Sequence, residues 1–250
     1  MGKRVAFVTG ASYGVGATTA LALARDGFDV AVSATRAANL ETTLRQIEAA
    51  GAHAFPLELD LRAQPSVERA MADVTARFSH LDVLVNNAAT NLRKLAVNVT
   101  PEEWDEVMTT NLRGPFFLTQ QFGRHLIGSG RPGAIINIAS VHGLIGAAER
   151  SVYGISKAAL IHMTRMLAIE WAQHGIRVNA IAPGRLDTPS PSRAARTGDP
   201  RYLEAMRARI PLKRLATAEE VAAAVCYLAN PDAASITGQT LVLDGGMTIA

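Results

Sequence analysis

Short runs of β-branched and apolar residues alternate along the chain with longer stretches in which apolar positions recur every three or four residues. The first pattern predicts strands at 5–9, 30–33, 53–59, 81–86, 134–138, 176–181 and 240–243. The second predicts helices at 14–25, 40–50, 65–78, 101 to about 126, 152–174 and 217–229. Thr100 and Glu103 have the spacing of a capping box at the start of the helix from Pro101. Residues 81–86 run apolar, as in a strand covered on both faces. Repeated strand–helix units predict an α/β fold with a parallel sheet, right-handed crossovers and helices on both faces. Ligands of such sheets sit beyond the carboxyl ends of the strands. The positions of interest are therefore Gly10 onward, 34–36, Asp60, 87–89, Ser140 and Pro183 onward. No repeat, linker or low-complexity tract divides residues 1–250, which read as one domain.

Composition removes several classes of function. One cysteine, Cys226, leaves no intrachain disulfide and no cysteine metal cluster, and implies a reducing compartment. No apolar leader and no run of about 18 apolar residues are seen, so a cytoplasmic protein without a membrane span is expected. The net charge of +3 is mild, and no basic block interleaved with aromatics argues for nucleic acid. The charge is uneven. Residues 185–214 carry eight basic and three acidic side chains, a net +5, leaving −2 for the remainder. Such a segment steers anions or is a solvated surface. Cys226 and the Phe116-Phe117 pair read as packing.

The stretch VTGASYGVGATTA follows the first strand, and two signatures overlap in it. Gly10-Ala11-Ser12-Tyr13-Gly14 fits the G-x-S-x-G turn of a hydrolase nucleophile. That turn needs an oxyanion donor from an earlier strand's loop and a histidine late in the chain. One strand precedes Ser12, and the last histidine is His174. The glycine-rich turn also fits a phosphate cradle at a helix start, with Gly10, Gly14 and Gly16 clearing the backbone and Ser12 adding a hydroxyl. The second reading fits better.

Tyr153 and Lys157 lie four apart on one predicted helix face, and Ser140 ends the strand before it. A phenol has a free pKa of about 10, too high for proton transfer at neutral pH. An ammonium roughly 4 Å away attracts the phenolate by about 4 kcal/mol at an effective dielectric near 20, before desolvation. Tyr153 then serves as general acid or base, with Ser140 holding the substrate oxygen. An ordinary surface Tyr/Lys pair is the plain alternative.

Together these residues resemble the short-chain dehydrogenase/reductase family over nearly the whole chain. Thr9-Gly10-(x)3-Gly14-x-Gly16 matches its cofactor turn, and Asn86-Asn87-Ala88-Ala89 its Asn-Asn-Ala-Gly stretch, with Ala89 in place of glycine. Asn111, Ser140, Tyr153 and Lys157 match its catalytic tetrad. Pro183-Gly184, Leu186 and Thr188 match the turn at the nicotinamide end. Gly238-Gln239 and Asp244-Gly245-Gly246 match its C-terminal signature. The resemblance implies a single doubly wound Rossmann-type domain with a seven-stranded parallel sheet in the order 3-2-1-4-5-6-7. It implies a carbonyl/alcohol oxidoreductase that uses NAD(P)(H) and no metal. The implied cofactor contacts are Gly10, Ser12, Tyr13, Gly14, Val15, Gly16, Arg36, Asp60, Leu61, Asn87, Ala88, Tyr153, Lys157, Pro183, Gly184, Leu186 and Thr188. Asp60 reads equally as a turn acceptor. Asn111 is implied to hold a relay water, and Pro115, which cannot donate to the Asn111 carbonyl, predicts a kink there.

The second strand ends without an acid and is followed by Arg36, which suits a 2′-phosphate. This favours NADP(H), with NAD(H) the alternative. The 185–214 segment is implied to be a substrate lid. The substrate is a small carbonyl or alcohol: a ketone or 3-oxoacyl thioester, or else a sugar or polyol oxidised with NAD. A homotetramer is implied. A catalytically silent nucleotide-binding regulator is the reading from another class, and the complete Ser140, Tyr153, Lys157 set argues against it.

Overall fold

The computed structural model describes residues 3–187, 204–205 and 207–250. Seven strands build the main sheet: β1 (Val5–Val8), β2 (Asp29–Ala34), β3 (Ala54–Glu58), β4 (Val83–Asn86), β5 (Gly133–Ile138), β6 (Ile176–Pro183) and β7 (Thr240–Leu243). They are parallel throughout, in the order β3-β2-β1-β4-β5-β6-β7. The strand order and the doubly wound architecture are those expected from the sequence.

Alternation along each strand splits the core into two layers. In β1, Ala6 and Val8 point to one layer, and Val5 and Phe7 to the other. Helices α1 (Gly14–Arg25) and α2 (Glu41–Ala49) cover the first layer, together with the helix Ala218–Ala229. Helices α3 (Gln64–Arg77), α5 (Gly114–Ser129) and α6 (Ser151–Trp171) cover the second. With both faces of the sheet buried, the strand centres have no polar face, which explains their near-continuous apolar runs.

The long helix expected from Pro101 is not continuous. It divides into α4 (Pro101–Met108), a π turn (Thr109–Arg113) and α5. The Gly114 amide donates to the Thr109 carbonyl, five residues back, rather than to the fourth. Pro115, just beyond, has no amide to restore the regular ladder. The expected kink therefore takes the form of a π turn with Asn111 inside it. At the start of α4, Thr100 and Glu103 form the expected capping box, and Thr217 and Glu220 form a second one at Ala218–Ala229. Phe116 is not core: it is 37% exposed on α5. Among the described residues, no helix is long and apolar enough to cross a membrane.

A two-residue parallel pair, Leu186–Asp187 with Ala216–Thr217, brackets the basic segment. The far end of that segment is docked. Ile210 is buried, the Leu212 amide donates to the Gly245 carbonyl at 3.1 Å, and Arg214 pairs with Glu220.

Candidate active site

The carboxyl ends of β1 to β4 open on a cleft of about 580 Å3. Of the implied cofactor contacts, Gly10, Ser12, Tyr13, Gly14, Val15, Gly16, Asp60, Leu61, Asn87, Ala88 and Leu186 line it. The turn after β1 is built for close approach. A methyl on Gly16 would sit 2.2 Å from the Gly10 carbonyl oxygen, and one on Gly10 would sit 2.7 Å from the Ala88 Cα. Thr9 locks this packing: its Oγ1 accepts from the amides of Asn87 and Ala88 at 3.0 and 3.1 Å. The Asn87 Nδ2 donates to the carbonyls of Thr9 and Gly10, at 2.9 Å each. Tyr13 caps α1 without a side-chain hydrogen bond, and no acidic residue lies in the first turn. The amides of that turn therefore face the cleft with a positive partial charge, a site for an anion.

Ala89 lies exposed on the cleft wall. Among the described non-glycine residues, only Glu149 and Lys213 have positive φ, so alanine at 89 strains nothing. Asp60 is a turn acceptor as well as a lining residue. Its carboxylate takes the Arg62 amide and a two-point contact from the Arg62 guanidinium, which holds its pKa below the usual value. Arg36 is exposed at the end of β2 and does not line the cleft; Thr35 and Asn39 beside it do. Pro183 and Gly184 also lie outside the lining. Gly184 instead backs onto the Asp244 Cα, which a Cβ would meet at 2.8 Å. Thr188 lies outside the described residues.

Asn111, Ser140, Tyr153 and Lys157 form a linked cluster next to the cleft. The Asn111 amide group clasps Thr90, a cleft residue, accepting from its N–H at 2.8 Å and donating to its C=O at 2.9 Å. The same Nδ2 donates to Ser156 Oγ at 3.1 Å, and that hydroxyl donates to the Tyr153 carbonyl at 2.7 Å. Lys157 is buried, with Nζ donating to the Ile138 carbonyl at the end of β5, at 2.8 Å. Its ammonium lies 5.9 Å from the Tyr153 ring centre, and complete burial pushes its pKa down to about 8.

Ser140 reaches this cluster because two glycines admit its turn. A Cβ on Gly143 would meet the Lys157 carbonyl carbon at 2.8 Å, and one on Gly154 the His142 oxygen, also at 2.8 Å. The 140–143 turn therefore lies against the first turns of α6. Ser140 Oγ accepts from the His142 amide at 3.2 Å, and the His142 ring stands edge-on to Tyr153 at 6.3 Å. Thr90, Ser156, Gly143 and Gly154 are the contributors that sequence reasoning missed. Only the two glycines left a signal, as small residues on either side of the Ser140–Tyr153 interval.

The family model described as enoyl-(acyl carrier protein) reductase matches residues 10–248. The 3-oxoacyl-[acyl-carrier-protein] reductase of Thermotoga maritima is 34% identical over 246 residues, 98% of each chain. A short-chain dehydrogenase/reductase of Armillaria gallica is 38% identical over 249 residues, 98% of this chain and 95% of that one. Among solved structures, a variant of actinorhodin polyketide ketoreductase with NADPH superposes with a TM-score of 0.94. It is 35% identical over 99% of this chain and 98% of that chain.

Proposed function

The chain belongs to the short-chain dehydrogenase/reductase family. It is an oxidoreductase interconverting a carbonyl and an alcohol, and on that premise we propose which residues do the work. One arrangement carries the proposal: a single cleft is lined both by the start of α1, which has no side-chain cap, and by Thr90, clasped by Asn111. The cradle fits NADP(H). Gly10 and Gly16 clear the backbone, and Ser12 and the first amides of α1 take the phosphates. Asp60, Leu61, Asn87, Ala88 and Leu186 form the walls. Arg36 reads the 2′-phosphate beside Thr35 and Asn39.

The nicotinamide, when bound, supplies or accepts the hydride at the substrate carbon. Tyr153 gives the substrate oxygen a proton in reduction and takes one in oxidation, and Ser140 orients that oxygen. The Lys157 ammonium, 5.9 Å from the Tyr153 ring centre, favours the phenolate. Asn111 fixes the wall through Thr90, and its carbonyl in the π turn holds a relay water.

The substrate class is a ketone or 3-oxoacyl thioester, the chemistry that the names of the Thermotoga reductase and the actinorhodin ketoreductase carry. The enzyme is single-domain and cytoplasmic, and the substrate-lid role is assigned to 185–214, of which 188–203 and 206 lie outside the described residues. The enzyme is a homotetramer. An apolar groove of about 600 Å3, walled by Met108, Leu112, Phe116, Phe117, Met163 and Met166, suits burial against a second copy. Titration with NADPH and NADH, followed through Trp104 and Trp171, tests the cofactor assignment. NADPH binding at least tenfold tighter is expected; equal or tighter NADH binding overturns the role of Arg36.

A further inference from the structure

Glu149 stands four residues before Tyr153 and holds a φ of +62°, in the left-handed region. A glutamate is strained there, and such a residue persists only where its surroundings over-determine it. The surroundings of Glu149 do so. Its carbonyl accepts from the Lys94 amide at 3.0 Å, and its carboxylate pairs with the Arg93 guanidinium. Beside it, the Arg150 guanidinium donates to Asn91 Oδ1 at 2.5 Å. Three contacts therefore zip residues 91–94 to residues 149–150. The first segment continues from Thr90 on the cleft wall, and Lys94 Nζ ties it to α4 by donating to the Glu103 carboxylate at 2.8 Å. The second leads straight into α6, where the Arg150 carbonyl accepts from the Gly154 amide at 2.7 Å, one residue past Tyr153. A lone half-exposed ion pair is worth little. Here it acts in parallel with a backbone hydrogen bond and a second side-chain bond, and the left-handed turn of Glu149 presents carbonyl and carboxylate to the same short segment.

We infer that Glu149 is a positioning residue that latches the wall beyond Thr90 to the first turn of α6 and so sets the width of the substrate that reaches Tyr153. The inference rests on the oxidoreductase reading above and narrows its substrate to slender, open-chain ketones. The carbonyl to be reduced meets Tyr153 beside this wall. With the latch closed, wall and helix cannot separate, and a ring fused beside the carbonyl finds no room.

Two ketones test this with NADPH: 2-pentanone, which is slender, and 1-tetralone, which carries fused rings. The native enzyme is expected to prefer 2-pentanone by tenfold or more in kcat/KM. Glu149→Gly keeps the turn without strain and removes the carboxylate. It is expected to cut that preference at least fivefold, through a lower KM for 1-tetralone, with NADPH affinity within about twofold of native. Arg93→Glu is expected to do the same, and the charge-swapped pair Arg93→Glu with Glu149→Arg to restore most of the preference. No native preference, an unchanged preference in Glu149→Gly, equal losses on both ketones, or a swapped pair no better than Arg93→Glu each overturn the inference. Hydrogen exchange of the Lys94 amide reads the latch without turnover. Protection in the native protein that falls at least tenfold in Glu149→Gly is expected, and an unprotected native amide overturns the inference. Reduction of neither ketone, with the Lys94 amide protected as expected, counts against the parent reading and leaves the latch standing.

Discussion

Lys157 shows how a single residue couples stability to chemistry. Its ammonium is held out of water against the Ile138 carbonyl, and burial lowers its pKa from 10.5 to about 8. Between those values the unfolded chain binds more protons than the folded one, so stability rises with pH across that window. Below pH 8 the full cost of burying the charge, of order 3 kcal/mol, is present. Urea unfolding of the native protein and Lys157→Met at pH 7.5 and pH 10 checks this. The native protein should gain about 2–3 kcal/mol relative to the variant at the higher pH; a constant difference would show that the ammonium is better solvated than its burial implies. Glycines test the cradle at the same scale. Gly16→Ala places a Cβ 2.2 Å from a backbone oxygen and should cost at least tenfold in NADPH affinity. Gly14→Ala meets open space at φ +60 and should cost only about 1–2 kcal/mol of stability, with NADPH binding largely kept.

Among the elements, the π turn between α4 and α5 does the most to shape the site. It sets Asn111 in a buried position, 1% exposed, from which one amide group reaches Thr90 on the cleft wall and Ser156 on α6. Replacing Asn111 with leucine leaves the Thr90 backbone groups unmet and should cost about 2–3 kcal/mol, with turnover falling further than stability explains. Denaturant unfolding and steady-state rates measured together separate the two effects. The sequence signalled this element only in part. Pro115 marked the interruption, but no residue pattern distinguishes a π turn from a simple kink, because the difference lies in which amide answers the Thr109 carbonyl. The strands were plainer, since burial on both faces leaves continuous apolar runs. Tyr153 and Lys157 were legible because helical spacing aligns them. Thr90 and Ser156 were not, because their contacts join residues 21 and 45 positions away from Asn111. Phe116 read as packing because its exposure depends on a groove that only the assembled helices define.

At the scale of the whole molecule, a doubly wound sheet brings residues from four strand ends into one cleft and sets Tyr153 beside it. The apolar groove on α4 to α6 predicts self-association, with the proposed tetramer the species expected by light scattering at micromolar concentration; charge introduced as Phe116→Glu should shift the protein toward smaller species. In this proposal Tyr153 moves the proton, while the cleft and Arg36 at its edge bind the cofactor without needing the phenol. The most direct measurement pairs NADPH affinity with turnover in Tyr153→Phe, using a ketone the native enzyme reduces. NADPH affinity should stay within about threefold of native and kcat should fall by about 10²–10⁴, the usual worth of a positioned acid or base. Turnover within a few-fold of native in that variant, with the cofactor bound, would contradict the proposal.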